Sequence, residues 1–291
     1  MNHPFGTGVP EWFKIPDSFQ RPETPLAGCR AKLDRAQEHL TALEVDIADF
    51  LGGDEQPYSY VGEVLPKDGD GDTYYLIRAD VRREPPTEWG IVLGEFFHDL
   101  RSMLDQLVSR LIEHRGNVPP EGKAGFPIFF HEDWSGFERQ CKNAMLGTDP
   151  ADRAVVKRLQ PDPRLPHAER RKHWLSLLHW AWNEDKHRVL HPVYVTGAEI
   201  TSPEDFPRPV PSADIGAHEV VWQGNMFSAH GHPLALARIE PTGPNPQMEM
   251  EGDFSPRIAF TKKAIRPEGL RTILEGSRAV FECFRPEIEG D

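Results

Sequence analysis

Apolar residues recur at three- and four-residue steps in several long stretches of this chain, and alternate with polar ones in others. The most regular stretch runs from Glu88 to Gly116, where Leu93, Phe97, Leu100, Leu104, Leu107 and Leu111 form one continuous stripe. That spacing predicts an amphipathic helix with a buried face. A second line on the same stretch, through His98, Arg101 and Asp105, also steps by three and four. An imidazole, a guanidinium and a carboxylate therefore lie along a flank beside the apolar stripe.

Upstream, Leu33, Ala36, Leu40, Leu43, Ile47 and Phe50 predict a first long helix over residues 29–51, stopped by Gly52 and Gly53. Two runs rich in Tyr, Val and Ile, YSYVGEVL and TYYLIRADV, flank PKDGDGD and read as a hairpin with a long turn. Asp68, Asp70 and Asp72 in that turn lack the glycine and glutamate of a calcium loop, so the turn reads as simply polar. Pro85 and Pro86 end the second strand, and Thr87 is placed to cap the central helix.

After Gly116 comes a crossover with an apolar knot at Phe126 to Phe130. Ser135 with Glu138 has the form of a capping box, and Asp149 with Pro150 starts another short helix. A third long helix is expected over 167–191, with Trp174, Leu178, Ala181 and Trp182 in its core and Pro192 ending it. Beyond Pro192 the pattern is that of strands: VYVTGAEI, HEVVWQ, PLALARIE, QMEMEGDF and PRIAF suggest an antiparallel sheet of four or five. A last helix over about 268–284 presents Leu270, Ile273, Leu274, Val280, Phe281 and Phe284.

The expected fold is α+β, a layer of long helices packed with an antiparallel sheet and closed by a C-terminal helix. Residues 1–26, which carry four prolines, read as an N-terminal arm. Residues 27–192 read as a helical core with an inserted hairpin, and 193–291 as strands plus the last helix, joined to the core in one compact domain.

Composition narrows the function. At 291 residues and 38% hydrophobic, the chain can bury a large core. A net charge of -13 argues against a broad duplex-binding surface. Cys29, Cys141 and Cys283 have no paired spacing, which points to a reducing compartment. With no signal-like or membrane-spanning run, the expectation is a cytoplasmic protein without a membrane partner.

The central helix and LHWAWNEDKHRVLH at 178–191 hold the candidate chemistry: His98, Arg101, Asp105, Asn183, Asp185, Lys186, His187 and Arg188. The plainest reading is a polar seam between helices, since a buried guanidinium requires a carboxylate or carbonyl partner, with Asp105 or Asp185 as first choices. On this reading there is no cofactor. A metal reading uses Glu95-x-x-His98 and Glu184-x-x-His187, two such steps on two helices, as in di-iron bundles or other divalent sites. His191 would extend the second step, and Glu38 or Glu44 would add a carboxylate. A third reading places an anionic small molecule against Arg101, Lys186 and Arg188, walled by Trp180 and Trp182. His173 and His179 read as packing or solvent-facing residues.

The run GEFFHDLRSMLDQLVSRL, then FPIF, then LLHWAWNEDKHRVL, resembles a widespread bacterial family of uncharacterised proteins. There a histidine precedes a Leu-Arg-Ser step on a leucine-rich helix, and an Asn-x-Asp-Lys-His-Arg segment follows. The resemblance covers roughly residues 27–192 and implies a shared architecture with no assigned reaction. HEPN-type helical ribonucleases, which are similar to a lesser degree, place a histidine beyond an arginine on one helix with four to six residues between them, a spacing for which Arg110 to His114 is too short. Here the position five residues beyond Arg101 is Gln106, which can neither give nor take a proton, so that resemblance does not carry ribonuclease activity.

Overall fold

The computed structural model describes residues 24–53, 55, 57–65, 69, 71–129, 134, 136–187, 190, 192–195, 208–211, 215–223, 226–227, 233–241, 248–251, 257–260 and 265–290. Among them the elements, in chain order, are α1 (Ala27–Gly52), β1 (Tyr58–Val64), β2 (Thr73–Val81), α2 (Glu88–His114), α3 (Phe137–Ala144), α4 (Pro150–Arg158), α5 (His167–Lys172), α6 (Trp174–His187), β3 (Pro192–Val195), β4 (Arg208–Pro211), β5 (Ile215–Gln223), β6 (Met226–Phe227), β7 (Pro233–Pro241), β8 (Met248–Glu251), β9 (Arg257–Phe260) and α7 (Pro267–Glu289). The fold is α+β, as the pattern predicts.

The stripe on α2 lies at the centre of one apolar cluster that also takes in α1, α6 and α7. Phe97, Leu100, Met103 and Leu104 are fully buried, because α1, α6 and α7 each pack directly against α2. The three long helices thus meet in one core. Helix α7 runs antiparallel to α1: Arg30 near the start of α1 pairs with Glu289 at 3.2 Å, and Glu44 further along pairs with Arg271 at 2.6 Å. It also reaches beyond the expected 284, since Ile288 is buried and rewards another turn.

The hairpin joins the later strands in one antiparallel sheet of order β1-β2-β7-β5. Tyr75, Ala79 and Ile239 put its inner face on the core. The remaining expected strands do not extend that sheet: β3 and β9 lie with β6, and β8 pairs with β4. Arg83, just after β2, donates to the Phe50 carbonyl at 2.6 Å and covers the Phe50 ring, satisfying the end of α1. Phe50 in turn meets Trp89 edge-on at 5.2 Å, which fixes the entry of α2 against the exit of α1.

Two local expectations are corrected. The helix expected over 167–191 is broken at His173, whose backbone is extended (φ -62°, ψ 139°). The reason is local bonding: His173 Nδ1 accepts the Leu175 N–H at 3.3 Å, and Ser176 Oγ donates to the Arg170 carbonyl at 2.8 Å, so α6 is capped where a continuous helix would have run on. The break lets Trp174 lie on Gly276 of α7, where any Cβ would overlap the indole. Thr87 holds the N-cap position of α2 but makes no capping bond, because its own backbone is helical (φ -66°, ψ -25°). The short helix at Asp149–Pro150 forms as expected, with the Asp152 carboxylate accepting the Asp149 N–H at 2.9 Å. Asp68, Asp70, Ser135 and the arm at 1–23 lie outside the described residues.

Candidate functional site

The polar residues expected to make one seam fall on two flanks of α2. On the first flank Arg101, 13% exposed, pairs bidentately with Asp105: Nη2 donates to Oδ1 at 2.8 Å and Nε to Oδ2 at 3.2 Å. The same Nη2 donates to the Phe126 carbonyl at 2.9 Å, and Asp105 Oδ1 accepts the Phe126 N–H at 2.8 Å. Both backbone groups of Phe126 are thus gripped by one ion pair, which docks the crossover onto α2. Burial lowers the Arg101 pKa, opposed by the Asp105 charge, and burial raises that of Asp105, opposed by Arg101.

From α6, Trp182 meets two cations, with the Arg101 guanidinium 5.3 Å from its ring centroid and the Lys186 ammonium 3.1 Å. His179 completes this flank. Asn183 Nδ2 lies 3.0 Å from His179 Nε2 and donates to the His179 carbonyl at 2.8 Å. Burial, aided by the Arg101 and Lys186 charges, holds the His179 pKa below its ordinary value, so the ring is neutral at pH 7. His179 is thus a member of the seam and not merely a packing residue.

The second flank is open. Arg35, His39, Glu95, His98, Asp99 and Asp185 line a cleft of about 610 Å³, floored by Gly90, Ile91 and Gly94. His39 on α1 is 12% exposed and points Nε2 at Glu95 (3.6 Å) and Asp99 (3.9 Å). Lys32 donates to Asp99 at 2.9 Å. Leu178, Ala181 and Asp185 follow one another along α6 at helical spacing; the first two are fully buried, and the third arrives over Gly94. Only glycine leaves room there, since a Cβ at 94 would overlap the Asp185 carboxylate. Among the described residues Asp185 accepts no hydrogen bond. Burial raises its pKa, with His98 nearby acting in the other direction.

The chain matches no family model, no curated protein and no solved structure. The bacterial-family resemblance rests on its quoted residues alone.

Several sequence expectations are therefore redrawn by geometry. His98 is exposed and lines the cleft beside Asp185, apart from the Arg101 pair, because it sits one turn back towards Gly94. Of the two carboxylates proposed for Arg101, Asp105 takes it and Asp185 does not. Arg101 is committed to Asp105 and Phe126, which leaves it poorly placed for an anionic ligand. Lys186 and His187 are exposed.

Glu95 and His98 reach the cleft, whereas Glu184 and His187 are not among its lining residues. Among the described residues no group of three or more His, Cys, Asp or Glu is placed to hold a metal. Glu38 pairs with Arg35, and Glu44 with Arg271, so both of these carboxylates are engaged elsewhere. Arg188 and His191 lie outside the described residues. No described helix is long and apolar enough to cross a membrane.

His39 and His179 were not selected from sequence. His39 carries a faint signal, since it follows Ala36 by three residues and precedes Leu43 by four, at the edge of the α1 stripe. His179 precedes Asn183 by four, the spacing that lets the amide reach back to it.

Proposed function

We propose that this is a small-molecule-binding protein whose site is the cleft formed by α1, α2 and α6, and that the Arg101–Asp105 seam holds the cleft's walls in place. One observation carries the reading: Asp185, on the wall of a cleft of about 610 Å³, is turned over a glycine and bonded to no described residue. A partly buried carboxylate with no hydrogen-bond donor raises the free energy of the fold unless something satisfies it. Of the charged lining groups Arg35 is paired with Glu38 and Asp99 with Lys32, and His39 faces Glu95 and Asp99, which leaves Asp185, beside His98, as the carboxylate no hydrogen bond satisfies among the described residues. A ligand bearing an ammonium or amidinium group fits that balance. Ile91, 59% exposed in the lining, supplies an apolar contact for its carbon skeleton.

The test is calorimetric titration with butylamine, butanol and butyrate, which share a chain and differ in charge. The amine should bind in preference to the other two, and Asp185→Asn should remove that preference. Equal response to all three, or an amine preference that survives the substitution, would contradict the reading.

A further inference from the structure

Around the C-terminal end of α4 three cations converge. Lys157, Arg158 and Arg164 line a cleft of about 590 Å³ together with Trp134, Gln160 and Asp162. Lys157 and Arg158 stand in the last turn of α4, where a cation offsets the negative end of the helix dipole. That accounts for two of the three. Arg164 lies beyond the helix, and Asp162 holds it: Nε donates to Oδ1 and Oδ2 at 3.0 and 3.1 Å, and Nη2 to Oδ2 at 2.7 Å. The helix end is also already satisfied in part. Gln160 Nε2 donates to the Val156 carbonyl at 3.0 Å, while its Oε1 accepts the Phe129 N–H at 2.8 Å.

The counter-charges are too few. Glu138 stands 3.6 Å from the Lys157 ammonium, and Asp162 serves Arg164. Arg158 is exposed and makes no hydrogen bond or ion pair among the described residues. In a chain of net charge -13, this is a local excess of positive charge, and like charges held together repel. The cleft also has an aromatic wall. Trp134 is stacked on Phe129 at 6.0 Å, and the Lys157 ammonium stands 5.0 Å from its ring centroid, so the indole is fixed in orientation.

We propose that this cleft binds a phosphate monoester of a small apolar or aromatic molecule. The phosphoryl oxygens sit against Arg158 and Lys157 and against the Nη1 edge of Arg164 that Asp162 leaves over, and the organic group lies along Trp134. Guanidinium forks match phosphate oxygens in shape as well as in charge. The three cations line one cleft, which suits a single phosphoryl group better than an extended polyanion. This site stands independently of the amine-binding reading.

The experiment is calorimetric titration of the whole chain with phenyl phosphate, inorganic phosphate and phenol. A second titration uses Arg158→Ala/Arg164→Ala, with its melting curve as a check on folding. Arg158→Gln alone, at an exposed and unpaired position, repeats the test with least risk to the fold. Phenyl phosphate should bind more tightly than inorganic phosphate, phenol should not bind, and the double substitution should weaken phenyl phosphate about tenfold or more without lowering the melting temperature. Absence of phenyl phosphate binding, equal affinity for inorganic phosphate, or binding unchanged in both variants would overturn the proposal.

Discussion

On one flank of α2 the Arg101 guanidinium and the Asp105 carboxylate are matched atom to atom, and what they leave over is taken by the backbone of Phe126. On the adjoining flank the same residue types stand round an open cleft, and Asp185 has no hydrogen-bonding partner among the described residues. The difference lies in what faces each group. Arg101 meets a carboxylate one turn away on its own helix together with a chain segment that needs both of its backbone groups bonded. Asp185 meets a glycine. A polar group enclosed with its partners holds a fold together, whereas one enclosed without them costs stability, and such costs collect at functional sites.

The largest effect that separates the two flanks belongs to Asp105. Its replacement by Ala strands the Arg101 cation and the Phe126 N–H together, and should cost about 3–5 kcal/mol in urea denaturation. Arg101→Met leaves Asp105 its bond to Phe126 and should cost about 1–3 kcal/mol. The double variant should lose less than the sum of the two. Equal small losses in both single variants would show that the seam does not anchor the crossover.

The pH dependence of stability sharpens the same contrast. Burial holds His179 and His173 below the ordinary histidine value of 6.5, so the folded state resists their protonation more than the unfolded state does. Their contribution is present above pH 6.5 and is lost as the pH falls through the depressed folded values. Asp185 acts with the opposite sign: its raised pKa makes the folded state less stable as the pH rises through the folded value. Melting temperature should therefore fall on acidification below 6.5, and His179→Gln should flatten that fall. A slope unchanged by the substitution would remove His179 from the account.

Gly94→Ala is a smaller perturbation with a telling outcome. Alanine favours the helix by about 1 kcal/mol, and the new methyl group forces Asp185 out of position at a similar cost. Net stability should change by no more than about 1 kcal/mol, while amine binding is lost. Retained binding would show that Asp185 need not lie where it does.

The stripes of α1, α2 and α7 were legible because each buries one face at helical period, and the Arg101–Asp105 pair because both lie on one helix at a spacing that geometry dictates. The rest depended on how helices are rotated against one another. Asp185 and Gly94 meet only because Leu178 and Ala181 direct that face of α6 onto α2, and no local pattern encodes such a meeting. His173 read as a helix-interior residue, since its ring nitrogen ends one helix and caps the next through a bond that spacing does not reveal. The five later strands alternate alike in sequence, so their division among three sheets of the described residues could not be read from periodicity.

The central claim is that Asp185 is held in the cleft at the expense of stability, ready for a ligand. The direct measurement is the melting temperature of Asp185→Asn at pH 7 without ligand, beside wild type and Asp105→Asn. The amide keeps the shape of the side chain and removes the charge. The account predicts that Asp185→Asn melts at or slightly above wild type, with a gain of about 0.5–2 kcal/mol at most, while Asp105→Asn melts well below it. A loss at Asp185 comparable to the loss at Asp105 would contradict it, because the carboxylate would then be a structural partner like the other.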